Sequence, residues 1–301
     1  MLILKERYNV LWRDRKMIII RQQGRLGNQL FQYALYRSLQ IKGKEVLLDC
    51  EHHVNICEEN MLKLLPNVHY QCAPIFLSES MANCKRTLKN RLIRKFRLPV
   101  KRTHYREQED DTIERLLEFE NVYLDGFWQS DSFFKDIRTQ LLQELMFDDN
   151  LDGYHQNILT QICKENSVSV HVRRGDYLSS KYIEKYGRSC DSEYYLKAIN
   201  YIENRVKHPV FFVFSDDYEW VKNNFNFSDN LILVNSSVDV PAYVDMFLMS
   251  RCKHNIIANS SYSWWSAWLN DEKDKIVICP EMWTSDRKND KTKCSGWVSI
   301  N

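Results

Sequence analysis

The chain has 301 residues, long enough for two ordinary domains, and its 44% hydrophobic content can bury a core in each. Its 42 basic and 40 acidic residues leave a net charge of +2, which excludes a strong overall field for nucleic acid, so any anion must be bound by a local cluster. Nine cysteines, scattered and without a C-x-x-C pair, argue against a disulfide framework or a zinc site. With no secretory or membrane-spanning apolar run, they predict reduced thiols and a cytoplasmic location.

Residues 1–16 are charged and aperiodic, an N-terminal extension to a first domain expected over residues 17–153. That domain opens on the β-branched run Met17-Ile18-Ile19-Ile20, which ends near Gln23-Gly24. Beyond Gly27, the residues Leu30, Phe31, Ala34, Leu35 and Leu39 recur at helical spacing, and Gly43 then leads into the strand-like Val46-Leu47-Leu48-Asp49. Strand, glycine turn, helix, strand is the pattern of a parallel sheet. The middle of this half is less regular. It holds a stretch from Lys85 to Arg106 with ten Lys or Arg and no acid, through which Leu88, Leu92 and Phe96 run at i, i+4, i+8 spacing. A basic amphipathic helix of this kind is most often a solvated face; its other use is to lie on an anionic membrane surface. Asn121-Val122-Tyr123-Leu124 reads as a strand and Ser132 to Met146 as a helix. The polar run ending at Gly153 marks the domain boundary.

The second domain, residues 154–301, repeats the alternation more plainly. Strand Val168–Val172 precedes a helix opening at Asp191 with Leu196, Ile199, Ile202 and Val206 on one face. Strand Val210–Phe214, a short helix around Tyr218–Phe225 and strand Leu231–Val234 follow. Then come a helix with Pro241 near its first turn, strand Asn255–Ala258, a helix from Ser261 to Leu269, and strand Lys275–Cys279. Two successive α/β halves predict two parallel-sheet domains facing a cleft, with ligands outside the carboxyl ends of the strands.

Three strand ends carry candidate chemistry. Gly24-Arg25-Leu26-Gly27-Asn28-Gln29 is an incomplete dinucleotide fingerprint, since glycines would be needed at Leu26 and Gln29, although Asp49 stands where a ribose-binding acid would. It reads either as a tight turn before a capped helix or as an anion site at that helix's N-terminus. Ser169-Val170-His171-Val172-Arg173-Arg174-Gly175-Asp176-Tyr177 ends a strand on two arginines, which are costly to bury unpaired. Strand alternation puts them on opposite sides, so that Arg173 reaches a diphosphate in the cleft, with His171 on the same side, and Arg174 pairs internally, for instance with Asp176. A structural salt-bridge cluster is the plainer reading. Asn259-Ser260-Ser261 passes from a strand into the tryptophan-rich helix, where an N-cap and a phosphate site coincide; Trp264, Trp265 and Trp268 read as packing of that helix against its sheet. Ser215-Asp216-Asp217 is not an alternating D-x-D metal motif, and offers a carboxylate for a base or ribose, or an N-cap.

Assembled, these residues resemble the bacterial α-1,2-fucosyltransferases of glycosyltransferase family 11. The resemblance rests on G-x-L-G-N-Q-x-F-Q-Y-A at Gly24–Ala34, H-x-R-R-G-D-Y at His171–Tyr177, Phe214-Ser215-Asp216-Asp217 and A-N-S-S-Y-S-W-W-x-A at Ala258–Ala267, with a weaker match at Gly126-Phe127-Trp128-Gln129. It covers the chain from about residue 17 onward. The resemblance implies a GT-B fold of two Rossmann-like domains, a GDP-β-L-fucose donor, no metal or other cofactor, and inverting transfer to the 2-hydroxyl of a terminal galactose-like residue. The acceptor would be a galactoside oligosaccharide or a lipid-linked glycan. Apart from the resemblance, the basic segment 85–106, where it is not simply a solvated face, would be a peripheral contact to the inner face of the membrane near lipid-linked acceptors. For the donor the resemblance implies Gly24, Arg25, Gly27 and Asn28 from the first domain. From the second it implies His171 toward guanine or ribose, Arg173 and Arg174, Asp216 toward the nucleoside, and Asn259, Ser260, Ser261 and Tyr262 at the phosphates. Gln29, Trp128 and Gln129 would meet the acceptor, and Arg173 with Asp176 would carry the catalysis. Asp125 and Asp131 stand beside Asp176 as candidates for the general base. The competing readings are a related transferase of different donor or linkage, and a carbohydrate- or nucleotide-binding protein without turnover.

Overall fold

The computed structural model describes residues 16–50, 60–82, 92, 103–147, 151–180, 182–187, 190–235 and 240–301. Residues 1–15 of the N-terminal extension and nearly all of the basic stretch lie outside these residues. The last three residues of that stretch do not continue a helix: His104–Arg106 form a strand, because they pair with the edge of the first sheet.

The first sheet is parallel, with strands β1 (Ile18–Arg21), β2 (Val46–Asp49), β3 (His104–Arg106) and β4 (Val122–Asp125) in the order β2-β1-β4-β3. Helix α1 (Leu26–Ile41) connects β1 to β2 and buries Leu30, Phe31, Ala34, Leu35 and Leu39, as the spacing predicts. The expected helix from Ser132 is broken. Two one-turn 3-10 segments precede the helix Arg138–Glu144, because Phe133 and Phe134 are adjacent and both buried, and Phe134 leaves helical geometry at φ −149°.

The second sheet has six parallel strands: β5 (Asn166–Val172), β6 (Pro209–Ser215), β7 (Leu231–Leu233), β8 (His254–Ile256), β9 (Val277–Pro280) and, beyond a small hairpin of β10 (Met282–Thr284) and β11 (Arg287–Lys288), β12 (Val298–Ile300). Their order β12-β9-β8-β5-β6-β7 is that of a doubly wound Rossmann sheet, reversing between β5 and β8. The chain thus has the GT-B architecture of two parallel α/β halves. The helix Ser192–Glu203, capped by Asp191, buries Tyr194, Tyr195, Ala198, Ile199 and Ile202. Leu196, expected on that face, is instead exposed, since the two bulky tyrosines turn the buried face toward themselves.

Helix α10 (Ser261–Leu269) joins the halves. Its tryptophans pack across the molecule rather than only on their own sheet: Trp264 lies 4.4 Å from Phe31 of α1 and Trp265 stacks on Phe134 at 5.5 Å between ring centres. One continuous core therefore contains β1, α1 and α10.

Candidate active site

Each reversal of strand order opens a crevice at the carboxyl ends of the flanking strands. In the second sheet, β5 and β6 pair with Val172 opposite Ser215, so Arg173 and Asp216 emerge side by side. On the other flank Val170 is opposite Ile256, which brings Asn259 and the start of α10 to the same rim. In the first sheet the reversal lies between β1 and β4, and the segments after them, Gly24–Asn28 and Gly126–Gln129, meet where Gln129 Nε2 donates to Asn28 Oδ1 at 2.8 Å. The two rims enclose one cavity of about 1560 Å³. Gln129 Oε1 also accepts from Trp283 Nε1 at 3.1 Å, tying its walls together.

Arg173 faces this cavity. Its Nη2 donates to Asp176 Oδ1 at 2.6 Å, its Nη1 lies 2.8 Å from Asp216 Oδ2, and its side chain is 16% exposed. Two carboxylates fix the guanidinium's orientation and leave part of its donor fork toward the cavity. Arg174 turns the other way: its Nε donates to Asp217 Oδ2 at 3.1 Å and its guanidinium stacks on Trp220 at 3.6 Å. The alternation divides the pair as expected, but the partner of Arg174 is Asp217, while Asp176 serves Arg173. Asp217 also caps the next helix by accepting from Trp220 N. A Cβ at Gly175 would lie 2.4 Å from Asp216 Oδ2, so a larger residue there would displace the carboxylate that holds Arg173.

His171 is buried on the cavity wall, and among the described residues no hydrogen bond reaches its Nδ1. Burial, with the nearby Arg173 charge, pushes its pKa down to about 3, so the imidazole is neutral. A neutral ring with an unsatisfied nitrogen is a hydrogen-bonding group that still lacks its partner.

Two helix N-termini open on the same space. At α1, Gly24 takes φ +78°, which glycine adopts freely, and the cap residue Arg25 makes no side-chain hydrogen bond to the first turn. At α10, Ser260 Oγ accepts from Tyr262 N at 3.3 Å. Arg25 reaches across to Asp176, 3.8 Å between Nη2 and Oδ2. The positive helix ends and Arg173 together suit a polyanion such as a diphosphate. Among the described residues, no group of three or more His, Cys, Asp or Glu side chains is placed to hold a metal ion.

Most of the residues singled out in the sequence line this cavity: Gly24, Arg25, Gly27 and Asn28, His171, Arg173, Asp176 and Asp216, Asn259 to Tyr262, and Gln129. Several of them have structural duties as well. Both oxygens of Asp216 are engaged, by Arg173 and by the amide of Arg174. Asn259 Nδ2 donates to the carbonyls of Tyr186 and Trp283. Tyr262 donates its hydroxyl to Ala242 O and accepts from Met246 N.

Gln29, Trp128 and Arg174 do not line it. Gln29 is fully buried, with its Oε1 accepting from Gln22 Nε2 and Met61 N. Trp128 is fully buried against Phe133, and it is Phe127 that is exposed to the cavity. Of the other carboxylates considered for a base, neither lines the cavity. Asp125 is held by Arg21 and His104, which overcome burial and keep its pKa down at about 2. Asp131 is raised by burial. Asp49 is buried and accepts the Tyr123 hydroxyl at 2.6 Å, which removes it from any ribose. Sequence reasoning missed Phe127 because two adjacent aromatics after a strand do not reveal which one turns inward. It also missed Glu107, whose carboxylate caps that turn from β3, an element too short to show a period.

The family model for glycosyl transferase family 11 matches residues 5–301. An O-antigen biosynthesis glycosyltransferase, WbnK, of Escherichia coli is 32% identical over 92% of this chain and 98% of its own length. An alpha-1,2-colitosyltransferase, also of Escherichia coli, is 33% identical over 94% of this chain and 99% of its own. The human galactoside alpha-(1,2)-fucosyltransferase 1 is 28% identical over 82% of this chain and 63% of its own. Among solved structures, an Arabidopsis thaliana FUT1 mutant in complex with GDP has the same fold, with a TM-score of 0.52 at 12% identity, over 94% of this chain and 76% of that one. A whole-chain family match, two relatives above 30% identity and a shared architecture agree: the chain is a glycosyltransferase and belongs to glycosyl transferase family 11.

Proposed function

We propose that this glycosyltransferase moves L-fucose from GDP-β-L-fucose to the 2-hydroxyl of a terminal galactose-like residue, inverting the anomeric carbon and needing no metal. The observation that carries this reading is the cavity of a family 11 chain in which a fixed guanidinium, Arg173, and two helix N-termini converge. As the bond from fucose to the diphosphate breaks, negative charge grows on GDP, and donors already aimed at it stabilise that charge without reorganising. Arg173 and the first turns of α1 and α10 take the diphosphate. His171 meets the nucleoside through its free nitrogen. Asp176 and Asp216 act as positioning residues that hold Arg173. The acceptor, a galactoside oligosaccharide or lipid-linked glycan, enters from the β4 side of the cavity.

The similarity to a colitosyltransferase favours one second reading, in which the donor sugar lacks the 3-hydroxyl of fucose. The two are separated by measuring GDP release from each GDP-sugar, with and without lactose and in EDTA, followed by NMR of the product linkage. Acceptor-stimulated release from GDP-fucose in EDTA and an α-1,2 product support the proposal. Release only from GDP-colitose assigns the other donor, and no stimulation by any terminal galactoside overturns the galactoside acceptor.

A further inference from the structure

We propose that Phe127 is the platform on which the acceptor sugar stacks, an assignment that rests on the galactoside reading above. An isolated exposed phenylalanine means little by itself. This one is 43% exposed, lines the cavity at the strand-order reversal of the first sheet, and is held outward by its surroundings. Its neighbour Trp128 sits at φ +57°, a strained conformation for so bulky a residue. That conformation splits the pair, sending Trp128 into the core and Phe127 into the cavity. Glu107 Oε2 stabilises it by accepting from both Phe127 N at 2.8 Å and Trp128 N at 3.1 Å. A Cβ at Gly126 would lie 2.5 Å from Glu107 Cβ and 2.9 Å from Trp128 Cε2, so the turn closes only around glycine. On its far side the turn is fixed by Gln129, bonded to Asn28 and Trp283.

A turn built at a cost in strain to hold a phenyl ring out into a cavity that also carries Glu107, Arg173 and Asp176 calls for a ligand with an apolar face. Galactose has one: the hydrogens on C3, C4 and C5 share a side of the ring. Stacked on Phe127, that face leaves the equatorial 2-hydroxyl at the ring's edge, free to point toward the donor. An aromatic contact of this kind discriminates by face and needs no charge.

Saturation-transfer NMR of methyl β-galactoside with the GDP-loaded protein tests the contact, alongside steady-state kinetics with lactose. The expected result is transfer concentrated on H3, H4 and H5, lost in Phe127→Ala and retained in Phe127→Tyr. The lactose KM should rise about tenfold in Phe127→Ala with a much smaller change in kcat, and recover in Phe127→Tyr. The melting-temperature rise induced by GDP reports that each variant is folded. The platform is overturned if wild type shows no transfer to these protons, or if Phe127→Ala binds and turns over lactose like wild type. Binding with the expected pattern but no transfer of fucose leaves the platform standing and rejects the proposed reaction.

Discussion

Gly27, in the first turn of α1, lies so close to Tyr262 at the start of α10 that a Cβ on Gly27 would come within 2.6 Å of the Tyr262 amide nitrogen. The same Cβ would meet the Ser261 carbonyl carbon at 2.6 Å. The positive ends of two helices from opposite sheets thus meet at one point of the cavity wall. Their mutual repulsion is offset by the aromatic packing behind them, where Phe31 meets Trp264 and Trp265, and is relieved further when an anion binds beside them in the cavity.

A methyl group at Gly27 has nowhere to go, because what it meets is mostly backbone rather than the end of a flexible side chain. Gly27→Ala should lower stability by about 1–3 kcal/mol through overpacking. It should also push the helix ends apart and weaken GDP binding, whereas a purely local strain would leave the GDP-induced shift intact. Thermal melts with and without GDP measure both.

The neighbouring arginines should separate cleanly in kinetics. Arg173→Lys keeps the charge but cannot reach Asp176, Asp216 and a diphosphate at once, so kcat should fall on the order of a hundredfold. Arg174→Lys loses the stack on Trp220 and the bond to Asp217, both outside the cavity. Its expected effect is a lower melting temperature with less than about a tenfold change in kcat. Equal kinetic losses in the two variants would contradict the division of the pair.

His171 makes stability depend on pH in a stated direction. Its pKa is near 6.5 in the unfolded chain and is pushed to about 3 in the folded one by burial and by Arg173. The unfolded state therefore takes up a proton that the folded state refuses. The stabilising contribution is complete above pH 6.5 and is lost as pH falls toward 3, at up to about 1.4 kcal/mol per pH unit. His254 is shifted down as well and titrates in part of the same window, so the quantity to measure is the difference between wild type and His171→Asn. Below pH 6.5 the variant's melting temperature should fall less steeply than that of wild type.

How much of this could be read beforehand follows from the range of the interactions. Helix Ser261–Leu269 was legible to the residue because its cap and its apolar run are local signals. Arg173 and Arg174 could be assigned to opposite sides because alternation is also local, but Asp217 as the partner of Arg174 depends on the pairing of β5 with β6. The tryptophans announced a core without saying whose, since Phe31 and Phe134 lie far away in sequence. The sequence points to Trp128 where the structure puts Phe127 in the cavity, because the choice between them is made by Glu107, some twenty residues earlier. The short strands β3 and β12 exist only as edges of sheets formed elsewhere, and have too few residues to carry a period.

Glu107 offers a discriminating substitution. It lines the cavity, so a carboxylate there invites a reading as the base that takes the acceptor's proton. Its geometry points elsewhere, since one oxygen, Oε2, already accepts from two backbone amides. A glutamine carbonyl oxygen can accept the same two hydrogen bonds but cannot serve as a base at neutral pH. Glu107→Gln should therefore keep kcat and the lactose KM within about threefold of wild type. Glu107→Ala removes the acceptor altogether, leaves two amides unsatisfied and frees the Phe127 turn, so the lactose KM should rise about tenfold, as in Phe127→Ala. Because both substitutions act through the same turn, Glu107→Ala combined with Phe127→Ala should raise KM no more than either alone. A large loss of kcat in Glu107→Gln would make the carboxylate's charge, rather than its hold on the turn, its role in the reaction.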